Sequence, residues 1–240
     1  MIYSVCTITR DFLEINDFVE YHLDIGFDRI VLYDNYSNPP VNIYDDRVEI
    51  IRWNKEAISC NAYNDYVLKN KHTSGWTAFI DEDEFINTNG RNIKEVMLEF
   101  QQFDTLSLSW RMFGDKIDDG DEIETKFWKK YKYYIPIDED PDCVNCHQKV
   151  ICKNTAVQRF VNPHYAILES GKQSKNVYGE VVNGSFSRPI HEKIWIDHFH
   201  CRGFENYLRR KSIKVNGVCD TVENITGTYY YHTNLAIKKL

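Results

Sequence analysis

The stretch of this sequence with the clearest chemical potential is Trp76-Thr-Ala-Phe-Ile-Asp81-Glu82-Asp83-Glu84-Phe85. An apolar run leads straight into a cluster of carboxylates. On extended backbone, residues i and i+2 point the same way, so Asp81 and Asp83 would share one side. Two carboxylates so placed can hold one hard divalent cation, Mn2+ or Mg2+, which keeps open positions suited to a diphosphate. A bare Asp-x-Asp is also common in solvated acidic turns. Its place directly after a buried strand is what raises it above that plainer reading.

A second signal is Ile196-Asp197-His198-Phe199-His200. The alternation with bulky residues puts both histidines on one strand face. A neutral imidazole there can complete a metal site or hydrogen-bond a phosphate. Arg202 and the basic residues Arg209, Arg210, Lys211 and Lys214 follow, which suits an anion site or, more plainly, a solvated helix face. A third cluster is Cys143-x-x-Cys146-His147 with Cys152 nearby. Four such ligands could close on zinc, but no second Cys-x-x-Cys accompanies them, so reduced thiols in a loop are the simpler expectation.

The elements that must position these residues alternate through the first half. Tyr3 to Thr9, Arg29 to Tyr33, Val48 to Trp53, Trp76 to Ile80 and Thr105 to Met112 read as strands. Residues 15 to 25, Ile58 to Leu68 and Ile93 to Phe100 carry helical spacing, with Gly26 as a stop signal. Such alternation predicts βαβ units, a mostly parallel sheet, and ligands beyond the carboxyl ends of its strands. Asp34-Asn35 and Asp81-x-Asp83 fall at those ends. The second half is less regular. Asp115 to Asp142 reads as long loops and a lid, Lys149 to Lys153, Tyr165 to Leu168 and Trp195 to Phe199 as short strands, and Phe204 to Lys214 as a basic helix.

Composition narrows the partners. The 240 residues are 42% hydrophobic, enough for a sizeable core, and fit one α/β domain. A net charge of −7 provides no basic field to coat nucleic acid. The 14% aromatic content suits flat ligands such as sugars and bases, although aromatics also fill cores. No apolar run approaches a membrane span, the N-terminus does not read as a signal peptide, and seven cysteines without framework spacing point to a reducing, cytoplasmic compartment. The basic helix near Arg209 could still touch a membrane surface peripherally.

Several motifs together resemble glycosyltransferases of the GT-A fold, in the family 2-like and family 92-like groups. They are Arg10-Asp11 with Glu14, Glu20-Tyr21-His22-Leu23, Gly26-Phe27-Asp28, Tyr33-Asp34-Asn35-Tyr36-Ser37, Trp76, Phe79-Ile80-Asp81, Asp83-Glu84-Phe85 and Trp110-Arg111-Met112-Phe113-Gly114. Looser matches follow at Lys149, at His164 to Gly171, and from Ile196 to Lys211, where Arg202-Gly203 stands in place of the usual Lys-Ser. The resemblance covers roughly residues 3 to 214.

What the resemblance implies is a GT-A, Rossmann-like α/β fold with a mostly parallel central sheet and helices on both faces. The chain would be a single domain, 1–240, with a nucleotide-sugar half (1–114) and an acceptor-side half (115–240). It would move a sugar, of hexosyl type, from a UDP-sugar to a glycan or glycolipid acceptor, in making a polysaccharide or glycoconjugate, either with inversion or with retention, which needs no single base. Thr9, Arg10 and Asp11 would approach the nucleotide, and Asp34 would accept hydrogen bonds from base or ribose. Asp81 and Asp83 would touch ribose and metal, with His198 completing the metal site and Arg202 beside the diphosphate. Trp110 and Phe113 would stack on the sugar or belong to the core. An inverting transfer also needs a base. Asp115, Asp118, Asp119 and Asp121 follow Gly114, and Asp115 is preferred. Two rival readings remain: a metal-dependent phosphoesterase using Asp81, Asp83 and His198, and a zinc-stabilised carbohydrate-binding adaptor built on Cys143, Cys146 and His147.

Overall fold

The computed structural model describes residues 1–55, 59–120, 123–211 and 222–240. In chain order the elements are β1 (Ile2–Thr9), α1 (Ile15–Asp24), β2 (Arg29–Asp34), β3 (Val48–Arg52), α2 (Ser59–Asn70), β4 (Gly75–Phe79), β5 (Glu84–Asn87), α3 (Ile93–Leu98) and β6 (Thr105–Met112). Then come α4 (Phe127–Lys130), β7 (Tyr133–Tyr134), β8 (Gln148–Lys153), β9 (Val157–Asn162), β10 (Tyr165–Leu168), β11 (Ser174–Lys175), β12 (Trp195–His198), α5 (Phe204–Lys211), α6 (Val222–Leu235) and β13 (Lys238–Lys239).

The main sheet runs β3-β2-β1-β4-β8-β6-β12-β5, with β11 beside the start of β6. β1 pairs in parallel with β2 and β4, β2 with β3, and β6 with β12. β8 is antiparallel to both β4 and β6, and β5 to β12. This is the mostly parallel α/β sheet expected of the GT-A arrangement. β8 inserts between β4 and β6, so residues before and after 114 interleave in one sheet.

Helices cover both faces, as expected. On α1, Ile15, Phe18, Val19, His22 and Leu23 are buried, and they pack with Ile93, Val96 and Met97 of α3 against Val5, Ile30, Leu32 and Trp76. On the other face Tyr63, Tyr66 and Val67 of α2 pack with Phe79, Val150 and Phe160. α1 ends at Gly26, whose φ of +106° is open to glycine at little strain.

The second half departs from expectation in two places. The segment from 115 to 142 was expected as loops and a lid, yet it contains α4 and β7 and is tied down. Lys126 Nζ lies 3.0 Å from Asp17 and 2.5 Å from Glu20 on α1. Trp128 stacks on Phe85 with centroids 5.7 Å apart. Second, the chain returns through α6 so that β13 pairs with β7. Part of the expected basic helix, including Lys214, lies outside the described residues.

Candidate active site

Asp83 is the focus. Antiparallel pairing of β5 with β12 sets His198 opposite Glu84, one residue from Asp83. The Phe199 amide donates to the Asp83 carbonyl at 2.9 Å, locking the two segments together. His198 Nε2 then stands 3.4 Å from Asp83 Oδ2 and His200 Nδ1 stands 4.0 Å from it. The three side chains offer ligand atoms within 4.8 Å of one another, the one such group among the described residues. Asp83 and His198 are buried.

Asp81 does not join them, which corrects the expectation of a shared carboxylate grip. The backbone from Asp81 to Glu84 is a turn, closed by the Glu84 amide on the Asp81 carbonyl at 3.1 Å, so the i and i+2 side chains diverge. Asp81 Oδ2 instead lies 2.8 Å from Lys149 Nζ, and Tyr63 donates to Asp81 Oδ1 at 3.3 Å. Lys149 is fully buried near the start of β8. Because β8 is antiparallel, that start lies at the carboxyl edge of β4 and β6. Its ammonium is also 3.6 Å from the buried carboxylate of Glu84, which accepts the Asp81 amide at 2.7 Å. Burial pushes the Glu84 carboxyl well up, while Lys149 pulls it back.

The nucleotide-side expectations divide. Thr9 and Asp34 are register partners at the ends of β1 and β2. Asp34, expected to be open to a base or ribose, is spent internally. It accepts the Ser37 and Val41 amides at 3.2 and 3.1 Å and pairs with Arg52. It therefore shapes the loop after β2. Asp11, at φ +51°, donates its amide to Ser37 Oγ at 3.1 Å and accepts from the Asn38 amide at 2.7 Å, which fastens the loop after β1 to the loop after β2. Thr9 Oγ1 and Arg10 Nε are buried without a hydrogen-bond partner among the described residues. Arg202 is buried, stacked 4.2 Å over the Phe12 ring and 3.2 Å from Glu14. With Leu13 and Arg209 it lines a cleft between the loop after β1 and α5. Arg209 donates to the Asp11 carbonyl at 2.8 Å, so the basic helix points at least this charge inward.

Asp115 emerges just beyond the carboxyl end of β6, where Met112 pairs with His198. It is half-buried, and burial holds its carboxyl above the usual range. Asp118 is engaged by Tyr133 at 2.7 Å and by Lys239 at 2.5 Å, which holds its carboxyl low. Asp121 lies outside the described residues. Phe113 is fully buried and stacks on Phe199 at 4.6 Å, so of the two alternatives weighed for it, it belongs to the core.

The zinc arrangement is not formed. Cys143 and Cys146 are joined as a disulfide, and Cys152 is buried in β8, where burial raises its thiol to about 12. The expectation of reduced thiols at 143 and 146 is corrected with it. Sequence reasoning also missed Asp197. It faces away from His198 on β12 and holds Arg111 through contacts of 2.7 and 2.9 Å, with Asn87 and the Trp195 indole also donating to it. The alternation in Trp195-Ile-Asp-His was the available signal. Among the described residues no helix is long and apolar enough to cross a membrane.

Residues 1–182 match the family model of glycosyltransferase family 92. No curated protein matches the chain. Among solved structures, S. aureus TarS 1-349 is similar at a TM-score of 0.32 and 15% identity, over 64% of this chain and 47% of that one. Its complex with UDP-GlcNAc gives 0.32 and 17% over 50% and 36%, and its complex with UDP gives 0.33 and 13% over 64% and 47%. The chain thus spans less than half the length of these structures.

Proposed function

The chain belongs to glycosyltransferase family 92, and from that premise we propose that it transfers a hexosyl unit from a UDP-sugar to a glycan or glycolipid acceptor. The observation that carries the reading beyond the family is the Asp83, His198 and His200 group at the carboxyl edge of the sheet. One carboxylate oxygen and two imidazole nitrogens suit Mn2+ better than Mg2+, which prefers an all-oxygen shell. A cation bound there supplies positive charge to the diphosphate leaving group.

The chain's own residues do the rest. Thr9 and Arg10 offer unpartnered polar atoms at the end of β1, and Arg202 and Arg209 contribute charge to the neighbouring cleft. Asp115 acts as the base of an inverting transfer. It takes the proton of the acceptor hydroxyl as that oxygen bonds to the anomeric carbon, while the bond from that carbon to the diphosphate breaks and the nucleoside diphosphate leaves. A carboxylate raised by burial is a stronger base than one in water.

Thermal unfolding with UDP, with and without Mn2+, tests the proposal. Ligand binding to the folded state raises the melting temperature. UDP and Mn2+ together should stabilise the wild type more than either alone, and Asp83→Asn should remove that cooperation. Equal stabilisation by UDP in EDTA, or an unaltered Mn2+ effect in the variant, would defeat the metal assignment.

A further inference from the structure

Trp110 on β6 is surrounded by imidazoles. His147 stacks on it at 4.7 Å and 15°, His164 meets it at 5.3 Å, and His198 at 4.2 Å. His198 belongs to the group around Asp83; the other two do not. Three parts of the fold bring them there. His147 immediately precedes β8 at the carboxyl edge, and its carbonyl accepts the Trp110 amide at 2.9 Å. His164 sits in the turn between β9 and β10, within reach of the Gln148 carbonyl. Phe186, well exposed, packs edge-on against His147 at 4.6 Å.

The hydrogen bonds fix both tautomers. His147 Nδ1 is 3.0 Å from the Val144 carbonyl, and His164 Nδ1 is 3.0 Å from the Gln148 carbonyl. A carbonyl only accepts, so each Nδ1 must carry a proton, and in the neutral ring each Nε2 is then an acceptor. Neither Nε2 has a partner among the described residues, and both rings are half-buried. Burial first, then the nearby Lys149 ammonium, holds His164 down at about 4, so it is neutral at physiological pH.

We infer that His147 and His164, resting on Trp110, form a subsite that accepts hydrogen bonds from the hydroxyls of a pyranose ring. The inference deepens the proposed function and rests on it for the identity of the ligand. Its charge logic is specific. Asp81 lies in the same electrostatic neighbourhood and keeps 37% of its side chain exposed, while Lys149 is wholly enclosed and spent on Asp81 and Glu84. Acceptors thus face outward and the cation does not. A ring rich in hydroxyl donors fits, a carboxylate-bearing sugar does not, and the exposed aromatic ring of Phe186 beside His147 offers an apolar contact for pyranose C–H groups. The ring can come from the donor or from the acceptor.

The test substitutes each histidine with Phe, which keeps a ring against Trp110 but removes the acceptor, and with Gln, which returns an acceptor oxygen. By calorimetry, UDP affinity should stay within about twofold in all four variants. His147→Phe and His164→Phe should weaken UDP-glucose or UDP-galactose by about three- to tenfold, the scale of one hydrogen bond, with Gln restoring most of it. That result places the donor sugar in the subsite. Unchanged UDP-sugar affinity with a similar weakening of methyl glucopyranoside binding places the acceptor there. Phe variants that match wild type in both respects overturn the subsite. Imidazole 15N spectra supply a readout independent of activity: a protonated Nε2 on either ring at neutral pH overturns it. Should the wild type bind no UDP, the function fails separately. Saturation transfer from the protein to methyl glucopyranoside then decides the subsite, upheld by a wild-type signal lost in the Phe variants and overturned otherwise.

Discussion

Acid should unfold this chain in large part through His22. The ring is fully buried on α1 among Phe18, Phe27 and Phe85. Its Nδ1 donates to the Phe18 carbonyl at 2.8 Å, and its Nε2 accepts the Ile86 amide of β5 at 3.3 Å. The second bond requires an unprotonated Nε2, so the folded state holds the neutral ring. Burial accordingly lowers its pKa from 6.5 to about 3. The sign follows from linkage. Below pH 6.5 the unfolded chain binds the proton and the folded chain does not, so the stability is complete above 6.5 and is lost as pH falls towards 3. At 1.36 kcal/mol per pH unit the full loss is about 5 kcal/mol, and about 3 kcal/mol of it is gone by pH 4. That is a large share of the ~5–15 kcal/mol that stabilises an ordinary domain.

Urea unfolding of wild type and His22→Gln at pH 7, 5 and 4 measures it. The Gln amide can still accept from Ile86 but does not titrate. The variant should be less stable at pH 7 and should lose about 3 kcal/mol less than wild type on going to pH 4. His164 and His232, both lowered to about 4 chiefly by burial, push the same way in both proteins and cancel in the difference. Parallel pH dependences would refute the neutral, buried histidine.

Three further outcomes follow from the buried charges. Asp197→Ala strands the Arg111 guanidinium beside Trp195 and Phe113, and should cost about 3–5 kcal/mol in urea unfolding; a loss below about 1 kcal/mol would mean that Arg111 finds other compensation. Lys149→Met should destabilise by a similar amount, and by less in a Glu84→Gln background, because the two groups share one network; strict additivity would count against that coupling. Asp34→Ala should speed hydrogen exchange at the Ser37 and Val41 amides and lower stability by about 1–3 kcal/mol; unchanged exchange would return Asp34 to a purely ligand-facing role.

Much of the frame was legible. The strands and helices up to Met112 carry continuous apolar runs or helical spacing, and the structure follows them within a few residues. β5 was hidden because its first residue is a glutamate, and the enclosed Lys149 together with the Asp81 amide makes Glu84 tolerable in a buried strand. α6 was missed because its sequence, VENITGTYYYHTNL, has no marked apolar stripe; it is held through Ile225 and Tyr229 against Tyr207 and Cys201. Pairings between distant segments leave no local trace, so the Arg111 to Asp197 contact was invisible even though both residues stood in plain view.

The site itself was half legible for the same reason. Asp83 and His198 could be joined across the chain only through the family pattern, whereas the division of labour between Asp81 and Asp83 depends on Lys149, which arrives from an antiparallel strand. That division has an electrostatic consequence. A divalent cation held by two carboxylates would be nominally neutralised by its own ligands. Held by Asp83 and two neutral imidazoles, it would keep a net charge of about +1 for the diphosphate. In the proposed metal site Lys149 would thus remove one acid from the ligand set, and with Asp81 occupied, His200 would supply the third ligand. The alternation in the sequence puts His200 on the same strand face as His198. β12 in fact ends at His198, so strand alternation no longer governs the position of His200. Its ring instead lies between His198 and Tyr207, with centroids at 5.2 and 5.0 Å, and the helix that carries Tyr207 helps hold it towards Asp83.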